Sequence, residues 1–147
     1  MRRSTFLATA AALVSTAYLT ACGSPPSDLD LSLQHPSTQG QFVVTLEPPA
    51  SGPVLGQIQT WRLRLSTRDG EPVSQARILF SGGMPQHGHG FPTQPRVTRE
   101  VSPGVYMLEG VKFSMSGWWD MRLGLQAGDR TDTAVFNVVL DDGRLRR

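Results

Sequence analysis

Two histidines and a methionine in a short glycine-rich segment are the residues of this sequence best suited to bind a metal. Met84, His87 and His89 lie within Gly82–Pro92, where several glycines let the backbone bend so that neighbouring side chains converge. Imidazole nitrogen suits copper, and thioether sulfur favours Cu(I). Zinc usually takes four ligands from cysteine, histidine and carboxylate side chains. The pattern therefore favours copper over zinc.

Other interpretations of this segment remain open. Met84 can serve as an apolar plug at the base of a loop, whereas His87 and His89 are polar, flanked by glycine and hard to explain by packing. Acid–base or nucleophilic catalysis would need further groups, and no Ser/His/Asp order or carboxylate pair accompanies the histidines. We therefore predict no catalytic residue and expect that the chain is not an enzyme.

The start of the chain has the parts of a bacterial export signal. Arg2-Arg3 precedes an apolar stretch from Phe6 to Leu19, which is short for a membrane span of about 20 residues. The tetrapeptide Leu19–Cys22 resembles a lipobox, in which the cysteine is acylated and the preceding bond is cut. We expect residues 1–21 to be a signal peptide and Cys22 to carry acyl chains such as palmitate. An ordinary secreted protein and an uncleaved anchor are the alternatives.

Charge and cysteine content narrow the possible partners. The chain has 14 Lys and Arg against 12 Asp and Glu, but Arg2 and Arg3 lie in the predicted leader, so the remainder is balanced. Because nucleic-acid binding requires a basic surface on the folded domain, we expect no nucleic-acid partner. Cys22 is the only cysteine, so lipidation leaves no free thiol and no disulfide. The expected partner is a membrane surface, with the domain facing the periplasm at the cell envelope.

The rest of the chain divides into a tether, a domain and a tail. Residues 22–40 are rich in serine and proline without an apolar period, so we expect a flexible tether in which His35 is merely solvated. A domain at 41–140 and a basic tail at 141–147 complete the predicted organisation.

Short alternating apolar segments separated by Gly, Pro and Asp indicate strands with one buried face. A weaker, more polar strand is expected at Arg96–Val101, and a turn then leads into Val105–Leu108, followed by Val111–Met115. The predicted inward faces are Phe42-Val44-Leu46, Trp61-Leu63-Leu65, Ala76-Ile78-Phe80, Trp119-Met121-Leu123-Leu125 and Ala134-Phe136-Val138-Leu140. About seven strands with no helical period predict an all-β protein with an immunoglobulin-like β-sandwich.

Three motifs in this order resemble the YtkA-like domain family, small exported sandwiches that are related in outline to FixH-like proteins. They are Met84–Gly90, Gly104–Tyr106 and Gly110–Trp118, and the resemblance extends from about Gln41 to Leu140. It implies an immunoglobulin-like sandwich and a role in periplasmic copper handling, including supply to a cuproprotein such as a respiratory oxidase.

The resemblance also implies a copper ligand set of Met84, His87, His89 and Met115. Met115 has a competing interpretation, because it would share a strand face with Val111 and could simply belong to the core. Two functions follow. One is a copper-binding lipoprotein of the cell envelope, and the other is a metal-free sandwich whose glycine-rich loop and Trp118 contact an envelope protein.

Overall fold

The structure, a computed structural model, describes residues 24–146. The predicted signal peptide at 1–21 and the predicted lipidation site Cys22 lie outside the described residues. The strands are β1 Gln34–Pro36, β2 Val43–Glu47, β3 Gln59–Ser66, β4 Arg77–Met84, β5 His89–Gly90, β6 Arg96–Ser102, β7 Val105–Val111, β8 Gly117–Ala127, β9 Arg130–Asp141 and β10 Arg144–Leu145.

These strands form two antiparallel sheets that enclose the core. The first has the order β1-β2-β3-β7-β6, and the second has the order β10-β9-β8-β4-β5. The predicted all-β class and sandwich architecture are confirmed. Across 24–146 the structure contains no helix of the length and apolarity needed to cross a bilayer.

The predicted alternation places the core correctly. In β3, Trp61, Leu63 and Leu65 are buried while Arg62 and Arg64 are exposed. Such a pattern follows from the period of two in a strand, which sends successive side chains to opposite faces of the sheet. The inward faces predicted in β8 and β9 are likewise fully buried.

The sequence interpretation was wrong about the segment that carries Met115. One strand, β7, runs from Val105 to Val111, and residues 112–116 form the loop that connects β7 to β8. Phe113 is still buried, but Met115 is 43% exposed and belongs to no strand face. The core interpretation of Met115 therefore does not hold.

Both predicted domain boundaries also need correction. Part of the expected tether is structured, because β1 pairs with β2 and the His35 ring lies 4.3 Å from the Phe136 ring. His35 is thus half-buried against the domain rather than merely solvated. At the other terminus, β10 pairs with β9 within the expected basic tail. Strand pairing thus extends the domain at both ends, to the residues of β1 and β10.

A buried carboxylate fixes the chain between β1 and β2. Asp132 accepts hydrogen bonds from the Ser37 hydroxyl at 2.5 Å and from the Gln39 and Gln41 backbone N–H groups at 3.0 and 3.2 Å. Burial acts to raise the pKa of Asp132, but the hydrogen bonds, first among them that from Ser37, outweigh it, so the pKa lies below the ordinary value. The interaction therefore depends on the charged form.

Replacing Asp132 with asparagine is expected to lower the free energy of unfolding at pH 7 by about 1–3 kcal/mol, because an amide loses the charge-assisted bonds and brings its own donors. The carboxylate's contribution is fully present above about pH 3.9, the ordinary aspartate pKa of an unfolded chain. It is lost as the pH falls through the lower folded value, so the difference between wild type and variant should narrow there. Urea denaturation of wild type and variant at pH 7, and again at a pH below about 3.9, tests this. Asp129→Asn, at an exposed position, is the control; an equal loss in both variants would refute the assignment.

Candidate metal centre

The glycine-rich loop is a tight turn at one end of the sandwich. β4 ends at Met84, whose carbonyl accepts hydrogen bonds from the backbone N–H groups of His87 and Gly88, both at 3.0 Å. The chain then returns as β5, in which His89 pairs with Met84. Gly88 has a φ of 66°, which favours glycine over any residue with a side chain. The sequence therefore forms a turn that brings the two histidines to one side.

The two imidazoles are neighbours and both are exposed. The ring centroids of His87 and His89 are 5.9 Å apart, with an angle of 30° between the ring planes. His89 Nδ1 lies 3.0 Å from the Gly90 carbonyl oxygen. Since a carbonyl only accepts, this contact places the proton on Nδ1 and leaves the Nε2 lone pair available for a metal. The sequence predicted the proximity of these histidines correctly.

The two methionines occupy very different environments. The Met84 side chain is only 1% exposed and packs in the core, where its methyl group lies 2.9 Å from the position that a Cβ on Gly117 would occupy. Met115 is exposed in the loop at 112–116, with 43% of its surface accessible. Its carbonyl accepts a hydrogen bond of 3.1 Å from Trp119 Nε1. Met115 is therefore available to an ion in solvent, and Met84 is not.

Trp119 links the loop of Met115 to the histidines, a role that sequence analysis did not assign. Its ring is fully buried, and its centroid lies 5.9 Å from that of His89. Phe91 and Phe113 pack against the same ring at 4.9 and 5.4 Å. Sequence analysis had singled out Trp118, but its Nε1 donates to the Asn137 side chain at 3.0 Å. The alternation of apolar residues in β8, which predicts that Trp119 points inward, was the sequence signal that could have identified this role.

Asp120 supports the hairpin that carries His89. It is buried, and its Oδ1 accepts a hydrogen bond of 2.8 Å from the Gly83 backbone N–H while its Oδ2 pairs with Arg122 at 2.6 Å. An open depression lined by Gly83, Gly90, Asp120 and other residues lies beside His89. Among residues 24–146 no three or more His, Cys, Asp or Glu side chains are grouped to hold a metal. The donors exposed at this end are two neighbouring imidazoles and, in the loop at 112–116, the thioether of Met115.

Gly83→Ala is expected to destabilise the protein by about 1–3 kcal/mol, because the added methyl group overpacks the hairpin. A Cβ there would lie 2.2 Å from the His89 carbonyl oxygen and 2.7 Å from Gly90 Cα, so β4 and β5 would have to separate. Gly90→Ala is a matched control, since its Cβ would meet only the Gly82 carbonyl oxygen at 3.5 Å. Denaturation by urea measures both, and a cost no greater for Gly83→Ala than for Gly90→Ala would contradict the close approach.

These features define a small all-β sandwich with a histidine hairpin at one end. The chain belongs to the YtkA-like family, whose sequence profile matches residues 34–124. The match begins at the first residue of β1, which agrees with the corrected domain boundary, and ends within β8. This is not a known enzyme family.

Other comparisons add little. A solved structure similar to this chain is the ZirS C-terminal domain, with 13% sequence identity and a TM-score of 0.41 over 93% of this chain and 86% of that one. No curated protein matches the sequence.

Proposed function

We propose that this protein is a lipid-anchored protein of the bacterial cell envelope that binds one copper ion and passes it to a cuproprotein such as a respiratory oxidase. The observation that carries the proposal is the pair of exposed imidazoles, whose ring centroids are 5.9 Å apart in a turn fixed by backbone hydrogen bonds. Two imidazoles and an accessible thioether form a donor set that suits copper, and especially Cu(I). The arrangement therefore fits the ion.

The structure supports a narrower ligand set than the family resemblance implies. We assign the ligand roles to His87, His89 and Met115, because all three are exposed at the same end of the sandwich. Met84 is buried and its methyl group packs close to Gly117. We therefore assign it a supporting role at the base of the hairpin. Two exposed imidazoles and an exposed thioether allow an ion to enter and leave without opening the core.

Met115→Leu is expected to weaken Cu(I) binding by about tenfold or more. Mutating residues that only hydrogen-bond to metal ligands changes metal affinity by about 10–100-fold, so loss of a direct ligand should cost at least the lower value. Leucine keeps most of the apolar volume, which separates a lost ligand from lost packing. Met84→Leu should leave the affinity almost unchanged, because its sulfur is inaccessible. Chelator competition on the purified chain measures both constants. A loss confined to Met84→Leu would reverse the assignment, and no loss in either variant would exclude thioether ligation.

Anchoring at Cys22 belongs to the proposal because a copper carrier must stay near its acceptor. Two or more acyl chains hold a protein stably at a membrane, whereas a single chain binds only marginally. The competing function is the metal-free interaction module, which predicts that wild type and histidine variants bind copper equally poorly.

A further inference from the structure

Residues 24–33, which precede β1, lie along the sandwich and begin beside the histidine hairpin. The Leu33 carbonyl accepts a hydrogen bond of 2.8 Å from the Leu46 N–H, and the Asp30 carbonyl accepts one of 3.0 Å from the Asn137 side chain. Finally, the Gln86 side chain donates a hydrogen bond of 2.8 Å to the Ser24 carbonyl. Ser24 is the first described residue. The chain therefore enters the domain directly beside His87.

Three loops form the same end of the sandwich, which we call the site end. They comprise residues 48–58, residues 85–95 with the two-residue strand β5, and residues 112–116, and Lys112 is the only Lys, Arg, Asp or Glu among them. The Gly56 N–H donates to the Phe113 carbonyl at 2.8 Å, which joins two of these loops. Ile58 is 68% exposed here, and Val54 and Met115 are also exposed. The β9–β10 hairpin borders the loop at 48–58 at this end and adds four charged residues, Asp141, Asp142, Arg144 and Arg146.

The opposite end of the sandwich, which we call the far end, is charged. Its connection between β3 and β4 contains Arg68, Asp69 and Glu71, and the turn between β8 and β9 contains Asp129. The eight residues of β3 separate the two ends by roughly 26 Å at the usual rise of a strand. The chain therefore enters the domain at the end whose three loops carry a single charged residue, Lys112, beside the charged β9–β10 hairpin.

We propose that the site end docks on the lipid surface, so that His87, His89 and Met115 face the membrane. The inference rests on the proposed acylation of Cys22. Two peptide units separate Cys22 from Ser24, which limits the distance to about 7 Å in an extended chain. Because Ser24 is bound to Gln86, the lipid must enter the bilayer next to the histidine hairpin. A domain on a long flexible tether would have no such orientation.

The chemistry of the loops fits a lipid surface. Apolar side chains gain free energy by entering the boundary between headgroups and acyl chains, and charged groups resist leaving water. Ile58 and Val54 supply a second, weak contact beside the acyl anchor, and the sparse charge of the three loops makes that contact inexpensive. In this orientation the protein that receives the copper presents a segment at the bilayer surface, as a membrane protein does.

Depth-dependent fluorescence quenching tests the orientation in the full acylated chain. Because the only native cysteine is Cys22, an introduced cysteine is the sole free thiol once Cys22 is acylated. Ile58→Cys labels the site end and Val101→Cys labels the far end, and both positions are exposed. Each labelled protein is incorporated into vesicles of phosphatidylethanolamine and phosphatidylglycerol that contain lipids with a nitroxide at the headgroup.

Quenching is expected to be several-fold stronger for the label at position 58 than for the label at position 101. Gln86→Ala removes the contact with Ser24, so it should reduce this ratio without releasing the protein from the vesicles. Equal quenching at the two positions, stronger quenching at position 101, or failure of the chain to float with vesicles would overturn the inference.

Copper titration of the same chain in detergent separates the inference from the proposed function. Normal copper binding together with equal quenching would refute the orientation alone. A preserved quenching ratio in a chain that binds no copper would support the orientation and refute the metal site. If the site end instead contacts a protein, both labels should remain unquenched on floating vesicles, and the lipid-docking inference fails.

Discussion

Trp61→Ala is expected to lower the free energy of unfolding by about 3–5 kcal/mol, the usual cost of truncating a buried tryptophan. Trp61 is fully buried on the inner face of β3, and its ring centroid lies 6.0 Å from that of Phe113. Folded domains are stable by only about 5–15 kcal/mol, so the loss would be a large share of the total. Urea denaturation with unchanged m-value would show that stability alone has changed.

Trp61→Phe serves as the control for this prediction. Trp61 Nε1 is buried and has no hydrogen-bond partner among the described residues, so the indole N–H contributes a desolvation cost that phenylalanine removes. Because most of the ring volume is also kept, the cost should stay under about 2 kcal/mol. A loss of less than about 1 kcal/mol for Trp61→Ala would instead place the ring outside the core and undo the assigned register.

Removing both loop imidazoles is expected to weaken copper binding by about 100-fold or more. Groups that merely orient metal ligands change affinity by about 10–100-fold, so loss of two direct ligands should reach at least the upper value. Both rings are exposed, and the turn that holds them relies on backbone hydrogen bonds. His87→Ala/His89→Ala should therefore remain folded, as thermal denaturation can verify.

His35→Ala is the matched control for the double variant. This third histidine lies in β1 against Phe136, in the sheet opposite that of the hairpin. Its removal should leave the copper affinity unchanged. If His35→Ala weakens binding as much as the double variant does, copper binds histidine at the surface without a specific site, and the hairpin has no special role.

The sequence predicted the core well because strand alternation is a local property. Trp61, Leu63 and Leu65 could be assigned to one face from their spacing alone, and neighbouring arginines marked the other face. The same reasoning predicted Trp119 to point inward. It could not show that the Trp119 ring lies beneath His89, because that contact depends on how β8 meets the hairpin across the fold.

The errors arose where long-range contacts decide local structure. Gln34–Pro36 carries no apolar alternation, and its strand exists because β2 offers an edge for pairing. Met115 follows apolar residues that favour continuation of a strand, but the chain must turn at 112–116 to pass from one sheet to the other. The family resemblance implied that both methionines are copper ligands, whereas the fold buries Met84 and exposes Met115.

The binding of one copper ion by the histidine hairpin is tested most directly by titrating the purified wild-type chain with Cu(I) and with Cu(II) against a competing chelator. The account predicts saturation at one ion per chain, with the affinity for Cu(I) reduced in His87→Ala/His89→Ala and in Met115→Leu. Wild-type protein that fails to compete with the chelator, or folded variants that bind copper like wild type, would contradict it and leave the metal-free interaction module as the function.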